Sequence, residues 1–123
     1  MSADVYRYDI VDGVALFDLT EFSVGGGVLL ERFFETVAAV YSRPDVDASV
    51  FVLADGGGIS KWFFERFDAL AAEIDELGVR RVAFVGPTAK QVALRGRLRG
   101  TNVVVETPDT PQDAVDWARG LEP

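Results

Sequence analysis

The chain has 123 residues, 49% of them hydrophobic and 26% charged, with a net charge of −8 and neither histidine nor cysteine. That length suits one domain with a core of its own, and the missing residue types exclude disulfides, thiolate chemistry and the commonest general base and transition-metal ligand. The acidic balance argues against nucleic acid as a partner, because the phosphate backbone would be repelled.

Uninterrupted apolar runs are only a few residues long, far short of a bilayer-crossing helix, so no integral membrane association is expected. The opening "MSADVYRYDI" has no basic start followed by an apolar stretch, and the expected location is cytoplasmic. The apolar share is high for so acidic a chain. We therefore expect a homodimer that buries part of that surface.

In chain order, "VYRYDIVDGVALFDLT" reads as two strands around Asp12-Gly13, a dipeptide suited to a tight type I′ hairpin. Tyr6, Tyr8 and Ile10 share one face of the first strand, and Val14 and Leu16 share a face of the second. After "EFSVGGG", residues Val28 to Arg43 are amphipathic, with Leu30, Phe33, Phe34, Val37 and Tyr41 on one side. Pro44-Asp45 should end that helix.

"ASVFVLA" is a continuous apolar run rich in β-formers, the pattern of a strand covered on both faces. Phe63, Phe67, Leu70, Ile74 and Leu77 mark the buried face of a second helix that Gly78 closes. "RRVAFVG" reads as another buried strand, and a helix from about Thr88 to Leu98 follows, capped by Thr88 and ended by Gly100. "NVVVET" is the last strand. In "DTPQDAVDWARGL", Thr110 is the N-cap, Pro111 the first helical residue, and Ala114, Trp117, Ala118 and Leu121 the inner stripe. The fold class is thus α/β in a single domain. Its order ββαβαβαβα predicts a mostly parallel five-stranded sheet, an antiparallel N-terminal edge hairpin and four helices.

This order, with "SVFVLA", "RRVAFVG" and the closing "VVVETPDTPQDAVDWARGL", resembles the SpoIIAA-like or STAS domains of bacterial anti-sigma-factor antagonists, over residues 1–123. The resemblance implies a non-enzymatic regulatory domain that acts through protein–protein contacts. In the antagonists, a serine near the start of the second helix, beside an aspartate and before a glycine, accepts a phosphate. Ser60 holds the comparable position here, but "GGISKW" lacks both neighbours. The general fold also resembles CRAL-TRIO lipid-transfer domains, which implies a second reading: a small carrier for an apolar ligand, with Phe33, Phe34, Phe63, Phe64 and Phe67 around it.

Two candidate sites stand out. The first is "DGGGISK", where Gly56, Gly57, Gly58, Ser60 and Lys61 could cradle an anion or present a phosphoacceptor at a helix start. Its spacing fits neither the P-loop nor the dinucleotide fingerprint, and the bland reading is a glycine turn with Ser60 as cap. The second is Trp62 with Phe64, aromatics off the buried stripe of their helix, which suggests a partner or dimer contact set against burial under a loop. Asp55 and Gly86 should lie at the strand carboxyl ends, where open α/β sheets bind ligands. Arg95 and Arg99 share a helix face that Arg97 does not; a solvated face and an anionic partner are the two readings. No catalytic residue, metal site or cofactor is expected.

Overall fold

In the computed structural model, which describes residues 7–19, 28–54 and 61–120, the chain opens on two strands, β1 (Arg7–Val11) and β2 (Val14–Leu19). They turn at Asp12 and Gly13, whose φ angles of 51° and 85° are both positive. A type I′ turn requires that at both central residues, and its twist matches that of the flanking strands. The expected hairpin therefore forms in antiparallel register, with Val11 opposite Val14 and Tyr8 opposite Phe17.

Helices and strands then alternate: α1 (Val28–Tyr41), β3 (Ala48–Leu53), α2 (Lys61–Glu73) running into a 3₁₀ turn at Ile74–Glu76, β4 (Arg81–Val85), α3 (Thr88–Arg97), β5 (Val104–Glu106) and α4 (Pro111–Ala118). The five strands lie side by side in sequence order. The first pair is antiparallel and the rest are parallel, the α/β arrangement read from the sequence. Because each strand is laid beside its predecessor, α1, α2 and α3 pack on one face of the sheet, and α4 returns across the other.

The strands sort their side chains accordingly. Phe17, Phe51 and Phe84 occupy in-register positions on β2, β3 and β4, with ring centroids 5.2 Å and 5.6 Å apart in near-parallel stacks. Phe33 and Phe34 of α1 and Phe63 and Phe67 of α2 close over this ladder. On the other face Val14, Ala48, Val50, Ala83 and Val85 meet Ala114 and Ala118 of α4.

Three helix boundaries differ from the sequence reading: α2 gives way at Ile74 to the 3₁₀ turn, ahead of Leu77 and Gly78. α1 stops at Tyr41 because the i−4 ladder ends with Ser42, whose N–H donates to the Ala38 carbonyl at 3.1 Å, and the next N–H, of Arg43, donates to the Val40 carbonyl three residues back at 3.1 Å, tightening the turn ahead of Pro44. Thr88 is the first helical residue of α3 and not its cap. Pro87, extended at φ −60° and ψ 139°, fills the cap position without a side-chain hydrogen bond. α4 starts as expected: the Asp113 N–H donates to Thr110 Oγ1 at 3.1 Å, and Pro111 occupies the first turn.

Candidate functional site

Leu19 and Leu53, the last residues of β2 and β3, are register partners. β2 and β3 thus end at one rim of the sheet. Gly56, Gly57, Gly58 and Ser60, with Asp55, lie outside the described residues, so neither the anion cradle nor the phosphoacceptor has a geometry to report. Tyr6 and Leu121 lie outside them as well.

What borders that rim is described. α2 begins at Lys61, an exposed residue whose Nζ stands 5.4 Å from the ring centroid of Trp62. Trp62 is itself 52% exposed. One turn later Arg66 pairs with Glu31 of α1. From the first turn of α3, Lys90 reaches over the strand end to donate to the Ala54 carbonyl at 2.7 Å. Gly86 is there for space: a Cβ on it would lie 2.9 Å from the Leu53 Cβ, and its φ of 147° suits only glycine.

Lys61 and Trp62 are therefore together on the first turn of α2. Phe64 is held elsewhere. It is half-buried against the core, with the Arg97 guanidinium 4.4 Å over its ring, and Arg97 also donates to Asp68 Oδ2 at 2.8 Å.

The sheet topology bears on the strand-end pocket. Ligand crevices in open α/β sheets form where strand order reverses and adjacent crossovers part to opposite faces. The parallel strands here keep sequence order, so among the described residues the strand order supplies no such switch point between β3 and β4, where Ala54 and Gly86 sit.

The arginines divide, although Arg99 lies beyond the end of α3 and does not share a helix face with Arg95. Arg97 is engaged by Asp68 and Phe64. Arg81 stacks on Trp117 at 6.0 Å and donates to the Trp117 carbonyl at 3.2 Å, closing the end of α4. Arg95 and Arg99 line a groove of about 510 Å³ beside β5, with Val92, Gly96, Leu98, Val103 and Val105. The apolar side of this groove was missed in the sequence. Its signal was Val92, a valine on the same flank of the helix as Arg95 and 64% exposed.

A second groove, at the β1 edge, is lined by Tyr8, Asp9, Ile10, Asp12, Gly13, Arg43 and Asp45. Its cation is engaged within it: Arg43 donates from Nε to Asp45 Oδ1 (3.0 Å) and from its terminal nitrogen to Oδ2 (2.8 Å). That hydrogen bonding holds the Asp45 carboxyl below its ordinary range and raises the guanidinium.

Among the described residues no group of three or more acidic side chains is placed to hold a metal ion, and no helix is long and apolar enough to cross a membrane. No family model matches the chain, and no curated protein or solved structure matches it either.

Proposed function

We propose that this chain is a SpoIIAA-like or STAS-like domain that works by contact with another protein through the first turn of α2. One observation carries the reading: Trp62, half-exposed, stands off the Phe63–Phe67–Leu70 stripe that holds its helix to the sheet. Tryptophan is among the residues that contribute most when an interface forms around them, because it buries a large rigid surface and keeps one polar handle. Lys61 over its ring and the Arg66–Glu31 pair beside it supply a charged rim. The domain is read as non-enzymatic and cytoplasmic, with no cofactor.

Less supports the carrier reading. Of the five phenylalanines in that reading, Phe64 lies under Arg97, and Phe33, Phe34, Phe63 and Phe67 pack against one another and against the strand rings at centroid distances of 5.0–6.4 Å.

The test is a benzophenone side chain at Glu65, an exposed position on the same helix face, irradiated in cells of the source organism. A discrete adduct that disappears with Trp62→Ala is expected. Its mass would tell a second copy, the homodimer foreseen in the sequence, from a different protein. Labelling no stronger than that from the exposed control position Asp109, or unchanged by Trp62→Ala, would end the proposal.

A further inference from the structure

We infer that the groove between the outer flank of α3 and the outer edge of β5 binds an extended, acidic peptide segment of another protein, which pairs with β5 as an added strand. This surface is separate from Trp62, and the inference does not rest on that reading.

The backbone supplies the template. Val104 donates its N–H to the Arg80 carbonyl at 2.9 Å, so its hydrogen-bonding edge faces β4. Alternation along a strand then turns the N–H and C=O of Val105 to the other side. Among the described residues β5 is the last strand of the sheet. An incoming strand would find a donor and an acceptor there, the basis of recognition by strand addition.

The side chains supply selectivity. Val103 and Val105 point to the helical face and pack on the core. With Leu98 they floor the groove; Val92, Arg95, Gly96 and Arg99 form its wall. In sheet order this is where the next strand-and-helix unit would sit if the fold continued. Apolar side chains of a guest strand would meet the valines, and its carboxylates would meet the two arginines.

Charge fixes the class of guest. Twenty acidic residues outnumber twelve basic ones, and Arg43, Arg66, Arg97 and Arg119 are all taken up in ion pairs. Among the described residues Arg95 and Arg99 have no acidic partner, although they flank one groove. The negative end of α3 accounts for a basic residue in its last turn. It does not account for an apolar floor between two unengaged guanidinium groups, which present fixed donor forks to a carboxylate.

A second copy of the chain does not fit. A two-fold axis through the β5 edge would make the contact self-complementary and would bring Arg95 and Arg99 of both copies to the same side of the joined sheet. Like charges in such a contact oppose it. The edge is also only three residues long, which suits a short segment and discourages indiscriminate sheet growth.

The probe is an acetylated, amidated heptapeptide alternating aspartate and valine, with counterparts carrying glutamine or lysine in place of aspartate. Each is titrated into the ¹⁵N-labelled full chain. The aspartate peptide is expected to bind best and the lysine peptide least, with amide shifts concentrated at Val103–Glu106 and along Val92–Arg99. The double variant Arg95→Glu/Arg99→Glu, altered only at exposed positions, should weaken the aspartate peptide at least about tenfold and invert the ranking. N-methylation of alternate peptide nitrogens should abolish binding by removing donors to β5, and Trp62→Ala should change nothing. No shifts at β5 at millimolar peptide, equal binding of all three peptides, or the same ranking in the charge-reversed variant would each overturn the inference.

Discussion

The two faces of the sheet are both buried, yet they are built on different scales. The face under α1, α2 and α3 is filled by rings, with Phe17, Phe51 and Phe84 stacked across three strands beneath Phe33, Phe63 and Phe67. The face under α4 is filled by alanine and valine. An eight-residue helix presents little surface, and Ala114 and Ala118 compensate by letting its backbone lie close against Ala48 and Ala83. Large side chains let several helices share one face through interlocking volume, while small ones hold a single short helix by close approach.

That contrast predicts opposite sensitivities. Phe51 touches Phe17, Phe67 and Phe84, so Phe51→Ala leaves a hole that three neighbours border, at a cost of about 3–5 kcal/mol. Urea unfolding monitored by circular dichroism would show it. A loss under about 1 kcal/mol would mean that the rings repack freely and the ladder is not what holds this face.

The α4 face should resist growth more than removal. Ala83 is fully buried between β4 and α4, and Ala83→Leu adds three carbons where close approach is the means of attachment. A cost of about 1–3 kcal/mol is expected, with faster hydrogen exchange in α4 than in α1. If Ala83→Leu were neutral, or if α1 loosened first, the difference drawn between the faces would be mistaken.

Most of the architecture could be read because each element advertises its period. The hairpin was legible from Asp12-Gly13, since few dipeptides accept two positive φ angles. α4 was legible from Thr110 and Pro111. The uniform run "ASVFVL" identified β3 as doubly covered, but alternation within it, Ser49-Phe51-Leu53 against Ala48-Val50-Val52, needed the second layer to acquire meaning. The surfaces were harder. Trp62 and Lys61 were legible because an aromatic off the buried stripe is a local fact. That Phe64 lies under Arg97, and that Val92, Val103 and Val105 share a groove with Arg95 and Arg99, depends on α2, α3 and β5 meeting in space, which no local spacing encodes.

The smallest expected effect lies at a buried polar pair within the ring-filled face. Ser49 is the buried polar residue among those described, and its Oγ shares a 2.6 Å hydrogen bond with the Tyr41 hydroxyl. Tyr41→Phe leaves the serine hydroxyl unpartnered, and the expected loss is about 1 kcal/mol at neutral pH; Tyr41→Phe/Ser49→Ala, which removes both groups, should recover part of it. Burial, only partly offset by the Ser49 hydrogen bond, holds the Tyr41 phenol neutral far above its ordinary range. In the unfolded chain it would ionise at about pH 10. Below that pH, unfolding moves no proton at this group, and its contribution to stability is complete. Above it, unfolding releases one, and the folded state loses about 1.4 kcal/mol per pH unit until the native phenol itself titrates. Wild type and Tyr41→Phe should therefore converge in urea midpoint between about pH 10 and 11 and then exchange order. A gap that stayed constant across that range would mean that Tyr41 meets solvent in the native state, and that even the tightly packed face of this sheet opens.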